Sequence, residues 1–323
     1  MAGLKEIKSK IRSTARTRTV TKAMEAVSAA KMRKTQNAAL AGRSYARAAA
    51  SVLARVQGTR ELIGHPLTRG ATLSTALEAA RPSLTVEPGR TPRALYIVIT
   101  SDKGLAGALN SGVLRTVARD IQERGLDASS ASVVAIGRKA QDFFSRREFA
   151  IEAYHPNTDI VSAEIISSVV AEAAARFSSG AVDEVVIAYQ NFISTFEQRP
   201  TLRTLFPLSL SELQKVVDDI VPAKGTVKQA PIEATAGGYT VEPSESDVLS
   251  AILERLAAIF VYHALLESQA SEHSARMVAM KGASDKAAEM QHALTLKFNK
   301  ARQAAITREV SEITGGMEAM ATA

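Results

Sequence analysis

Residues 244 to 314 contain no proline and a single glycine, Gly282. A helix of that span is roughly 105 Å long at 1.5 Å per residue, wider than an ordinary globular domain. Pro243 stops what precedes it, and Ser244-Glu245-Ser246-Asp247 is a capping-box pattern just before the apolar run that opens at Val248. Gly315-Gly316 supplies a stop signal. A periodic segment this long belongs to a coiled coil, a membrane span or a repeat. The stretch nearest to a membrane span, Val248 to Leu266, has Glu254 and Arg255 in its middle and His263 behind them. Charges at bilayer depth are costly, so a buried core helix is the better reading.

A second long helix is expected over residues 3 to 57, which lack proline and are rich in alanine. Its apolar groups, Leu4, Ile7, Ile11, Val20, Met24, Val27, Tyr45 and Val52, recur in steps of about three, four and seven. The stripe is thin, because Lys31 and Lys34 fall where a seam wants apolar groups, and such a helix needs a partner along its length. Charge is concentrated here: residues 1–60 hold 14 Lys and Arg against Glu6 and Glu25, a balance of +12 within a chain whose net charge is +7. That composition also suits an organellar transit peptide. The chain has no cysteine, which excludes disulfides and thiolate metal sites.

Between the two helices the pattern changes. Ala94–Thr100 is a continuous apolar run, the signature of a strand covered on both faces. Ser101–Asn110 then leads into a helix ending near Arg124. A strand over 132–137, a helix over 138–147, a strand over 149–154 and an amphipathic helix over 162–177 follow. A strand over 184–192 and an antiparallel return over 201–208 close the series. Strands alternating with helices give an α/β sheet of Rossmann-like type. A short helix at 73–80, a helical turn or two at 212–220 and a loop at 222–238 complete the pattern. The expected organisation is thus a long helix (1–57), a connecting segment (58–93), an α/β domain (94–209), a loop-rich linker (210–243) and a second long helix (244–323). The terminal helices can lie antiparallel as a two-helix coiled coil and bury each other's stripes.

Chemistry is sparse. Lys103, Gly104 and Gly107 stand where an α/β sheet can hold a phosphate, but the loop is neither a dinucleotide fingerprint nor a phosphate-binding loop, and glycines make such turns for steric reasons alone. The histidines at 65, 155, 263, 273 and 292 show no metal-ligand spacing, and no carboxylate pair has a reacting partner. No cofactor or catalytic residue is expected. The basic first helix could track nucleic-acid phosphates, yet Tyr45 is its only aromatic and no reader motif is present. Beyond Glu267 the apolar groups of the last helix thin out, and so slender a shaft requires a surrounding assembly.

Lys5–Ile11, Thr21–Glu25, Ala30–Gln36, the Ser101–Asn110 loop, Ser274–Lys281 and Asn299–Thr307 through Gly315-Gly316 resemble the γ subunit of F-type ATP synthases, bacterial type. The resemblance is close over residues 2–47 and 264–317 and begins at Met1, which sets the transit-peptide reading aside. It implies a non-catalytic rotor shaft: an antiparallel coiled coil inside a ring of α and β subunits, with the α/β domain at the foot beside ε and the membrane c-ring. Association with the cytoplasmic face of the cell membrane would run through the c-ring. By position, the resemblance assigns contact with β to Lys22, Met24, Lys31, Arg33 and Lys34, to Arg276, and to Arg302, Gln303, Thr307 and Glu309. Tyr239 is implied as a c-ring or ε contact. Ala106 stands where many relatives carry cysteine and Ala108 where many carry glycine, which weakens a phosphate role further. The cysteine-bearing chloroplast insertion has no counterpart. The alternative from another class is a basic coiled-coil protein that binds nucleic acid or acts as a scaffold.

Overall fold

The computed structural model describes residues 2–56, 65–68, 91–208 and 244–321. The short helix expected at 73–80, the segment 212–238 and Tyr239 lie outside the described residues. The chain divides into two compact units, Met1–Ala30 with Arg276–Ala323, and Lys31–Ala275. The division falls within both long helices, α1 (Ala2–Val56) and the C-terminal helix (Glu245–Ala321).

In the larger unit five strands form one sheet in the order β3-β2-β1-β4-β5. They are β1 (Ala94–Ile99), β2 (Ala131–Ile136), β3 (Ala150–His155), β4 (Glu184–Phe192) and β5 (Gln198–Phe206). The first four are mutually parallel, while β5 returns antiparallel to β4 with Val186 opposite Thr204 and Gln190 opposite Pro200. The central strand β1 has every side chain fully buried. Alternation then sorts its residues: Leu95, Ile97 and Ile99 enter one core, and Ala94, Tyr96 and Val98 the other. The second core is covered by α2 (Leu109–Glu123) and α3 (Arg138–Ser145) through Val113, Val117, Ile121, Ala140 and Phe144.

The first core is covered by α4 (Ala163–Ser178) and by the opening of the C-terminal helix, α5 (Glu245–Ala321). Ser162 caps α4 by accepting the Glu164 N–H at 3.2 Å, with Glu164 in the first turn and Arg176 in the last complementing the helix dipole. Its buried face, Ile166, Val169, Val170, Ala173 and Phe177, follows helical spacing. Leu249, Leu253, Leu256, Ala257, Phe260, Val261 and Leu265 of α5 pack into the same core. The most apolar stretch of the chain is therefore a core helix of the α/β unit, while Glu254 and Arg255 face outward. A polar group also meets the sheet here: the Glu267 carboxyl of α5 lies beside Tyr189 on β4 and Arg203 on β5.

One expectation about α5 is corrected. The helix does not stop at Gly315-Gly316; it continues to Ala321. A glycine ends a helix when the chain turns left-handed there, and neither of these does; both face open space. At Gly282 α5 is continuous, and nothing lies within 4 Å of where a Cβ would stand.

Candidate functional site

In the smaller unit the two helical segments run antiparallel. Lys10, bonded at 2.7 Å, and more weakly Lys297 from the other segment hold the Glu6 carboxyl below its ordinary range. Ala15, Arg18, Thr19, Lys22 and Ala23, further along α1, line a shallow groove with Gln291. Residue numbers rise along one helix as they fall along the other.

The buried and half-buried positions of each segment follow a heptad. On α5 they are Met280, Ser284, Ala287, Gln291, Leu294, Phe298, Ala301 and Ala305, alternating steps of four and three. On α1 the series is Leu4, Ile7, Ile11, Thr14, Thr21, Glu25 and Ser28, with exposed Arg18 filling the remaining place and half-buried Ala15, Met24 and Ala29 flanking it. The stripe read from the sequence continued through Val20 and Val27, and this is corrected: both valines point outward, 57% and 55% exposed, while Thr21 and Ser28 occupy the seam. The Thr21 hydroxyl donates to the Thr17 carbonyl at 2.9 Å, so it enters the seam with its hydrogen bond already made inside its own helix. Small hydroxyl residues thus take interior positions that hydrophobicity alone assigns to valine. The signal available in the sequence was the spacing of seven from Thr14 to Thr21 to Ser28.

What the seam leaves outside is apolar too. Leu296, Ile306, Val310, Ile313, Met317 and Met320 of α5 are all exposed. The last five are spaced four, three, four, three, a heptad stripe on the stretch of α5 beyond Ala305, where every residue of described exposure is exposed. Such a stripe is the pattern of an interface whose other side belongs to another chain.

The structure places the expected contact residues on this surface unevenly. Lys22, Arg33 and Lys34 are exposed and Met24 is half-buried. Arg302, Gln303, Thr307 and Glu309 are exposed together on α5, where Gln303 and Thr307 border the outward stripe at Ile306. Arg276 differs, being largely buried at 9% exposure. Lys31 differs as well, since its ammonium is bonded to Asp159 at 2.6 Å within the larger unit. Sequence reasoning missed Asp159, which is 128 residues away along the chain.

The Ser101–Asn110 loop is closed by its own side chains. Asn110 accepts the Ser101 N–H at 2.9 Å and donates to the Ser101 hydroxyl at 2.7 Å, and that hydroxyl donates to the Lys103 carbonyl at 2.6 Å. Gly107 has φ +58°, a left-handed turn that explains the glycine without a ligand. His65 shares a hydrogen bond with the Ser250 hydroxyl at 2.9 Å, and burial holds His263 neutral by lowering its pKa to about 4. Among the described residues no group of His, Cys, Asp and Glu is arranged to hold a metal ion.

The sequence matches the family described as ATP synthase over residues 3–320. Among solved structures, the chain is similar to one from the Tetrahymena thermophila mitochondrial ATP synthase central stalk and c-ring at 24% identity, covering 82% of this chain and 99% of that one with a TM-score of 0.56. It is also similar to a chain of the Euglena gracilis mitochondrial ATP synthase OSCP/F1/c-ring structure, rotational state 3, at 20% identity, covering 99% and 95% with a TM-score of 0.62. At these identities the likeness is one of fold.

Proposed function

The chain belongs to the ATP synthase family as a γ subunit, and we propose from that premise that its helical pair turns inside a ring of α and β subunits as the rotor of the central stalk. Rotation of the c-ring, driven by proton flow, is carried by this chain to the catalytic β subunits during ATP synthesis, and the reverse holds during hydrolysis. The chain itself catalyses nothing. The observation that carries this reading is the exposed apolar heptad stripe over Ile306, Val310, Ile313, Met317 and Met320 of α5, beyond the part of that helix that pairs with α1. A lever shifts a conformational equilibrium only through contacts that differ between states, so a shaft must present different faces to different β subunits. One face here is apolar (Ile306, Val310, Ile313), and Lys22, Arg33 and Lys34 on α1 offer exposed positive charge.

The contacts with β run through Lys22, Met24, Arg33 and Lys34 on α1 and through Arg302, Gln303, Thr307 and Glu309 on α5. Exposed ion pairs contribute only about 0 to 1 kcal/mol each, which suits a surface that must release each β subunit in turn. Arg276 is largely buried and Lys31 is paired with Asp159, so both stand apart from the freely exposed contacts. The α/β unit meets ε and the c-ring at the foot, and Tyr239 is proposed as a contact there from the family resemblance alone. The complex sits at the cytoplasmic face of a bacterial cell membrane, held through the c-ring. In support, among the described residues one helix, α5, is long and apolar enough to span a bilayer, and its opening residues Leu249 to Leu265 are packed on the sheet.

Reconstitution with α and β subunits tests the reading. Sustained ATP hydrolysis is expected to require this chain, and cysteines placed at positions 24 and 303 of a chain that has none are expected to cross-link to β. A chain that neither joins the hexamer nor cross-links from either position refutes it. The nucleic-acid or scaffold alternative draws no support from the comparisons.

A further inference from the structure

The ion pair between Lys31 and Asp159, whose side chains are 39% and 58% exposed, is one end of a longer arrangement. The turn after β3, residues 156–160, is tied in three directions. Toward the sheet, the Asn157 amide donates to the Thr100 carbonyl at 2.8 Å, at the very end of the central strand. Toward α5, the buried Gln269 amide donates to the Thr158 carbonyl at 2.7 Å and to Asn157 Oδ1 at 3.1 Å. His273, one turn further on, brings Nε2 to 3.8 Å from Asp159. Toward α1, Asp159 takes the Lys31 ammonium at 2.6 Å, and that contact holds the Asp159 carboxyl below its usual range.

We propose that this turn is a clasp that locks both long helices to the α/β sheet, and that Lys31 serves as its α1 anchor instead of as a contact with β. The inference rests on the rotor reading and adds a part to it. The chain leaves α1 at Val56 and reaches β1 only at Ala94, so a twist applied at the sheet reaches α1 along the backbone through a long connection. The clasp supplies a direct path: one short turn holds the end of β1, the buried face of α5 and the side of α1. Lys31 and Asp159 are positioning residues in this scheme, since neither touches a reacting group.

Charge reversal in the assembled, membrane-reconstituted complex separates the two roles of Lys31. Lys31→Asp and Asp159→Lys are each expected to lower the protons pumped per ATP hydrolysed, roughly two- to five-fold if the full worth of a partly exposed pair is lost. The double exchange, Lys31→Asp with Asp159→Lys, restores the ratio toward that of the unaltered complex. Zero-length carbodiimide coupling of the unaltered complex is expected to join the peptides that carry residues 31 and 159. The clasp is overturned if Asp159→Lys pumps normally, or if the double exchange is no better than Lys31→Asp alone, because Lys31 then acts on another subunit. Failure of the unaltered chain to support any pumping would instead overturn the rotor reading itself.

Discussion

Glu267 and His263 stand one turn apart on α5, His263 buried and Glu267 half-buried, and desolvation moves them in opposite directions. Glu267 is raised from 4.5 to about 7 by burial, against the opposing pull of Arg203 and the Tyr189 hydrogen bond. Between those values the folded chain keeps a proton that the unfolded chain has lost. Stability attached to Glu267 is therefore complete below pH 4.5 and falls as pH rises to 7. At about 1.4 kcal/mol per pH unit the loss is about 3 kcal/mol. His263 is lowered from 6.5 to about 4, so its contribution is present above pH 6.5 and is lost as pH falls to 4, again by about 3 kcal/mol. The two slopes oppose each other over nearly the same window. The chain is expected to show little pH dependence from this pair between pH 4.5 and 6.5, and Glu267→Gln is expected to expose the histidine slope. Urea unfolding of the full chain by circular dichroism at several pH values measures it. The variant should be more stable than the parent at pH 8 by up to about 3 kcal/mol and indistinguishable from it near pH 4.5. Parallel stability curves for the two proteins would refute the assignment of a neutral Glu267.

Met24→Lys adds a cation to the half-buried edge of the seam and is expected to lower the protons pumped per ATP hydrolysed; an unchanged ratio removes this residue from the coupling surface. Gly137 has φ +97° and a Cβ there would stand 2.0 Å from the Thr100 carbonyl oxygen, so Gly137→Ala is expected to yield little folded chain, scored by soluble yield and urea midpoint. Arg124 pairs with the buried Glu184, whose side chain is 2% exposed, and Arg124→Met is expected to cost roughly 3 to 5 kcal/mol by stranding that carboxylate. Gly282→Ala meets open space in a continuous helix and is expected to stabilise the isolated chain by about 1 kcal/mol, read as a higher urea midpoint.

Local pattern was enough for the elements. The unbroken apolar run of β1 marks a strand covered on both faces, the spacing of Ile166 through Phe177 marks an amphipathic helix, and the proline-free stretches mark two long helices. Each of these depends on neighbours a few residues apart, so the one-dimensional order carries the information. For the same reason Gly315-Gly316 misleads: a glycine permits a left-handed stop but does not impose one, and what the chain does there depends on what else competes for the last carbonyls.

Of the candidate contacts with β, Lys22, Arg302 and Gln303 are picked out by their place in ordered motifs, and their side chains are exposed. What only the tertiary structure decided was which face of each long helix turns inward. On α1 the valines at 20 and 27 are more apolar than the hydroxyl residues beside them, yet Thr21 and Ser28 fill the seam: the Thr21 hydroxyl is bonded within its own helix, and small side chains let the partner approach. The partners of Lys31 and Glu267 were likewise beyond sequence reasoning. Asp159 and Tyr189 are brought to them by the sheet across 128 and 78 residues of chain, and no local pattern records such a distance. The sequence thus determined the parts of this rotor and their order, and the packing of helices on the sheet determined which side chains hold it together and which remain free to meet another subunit.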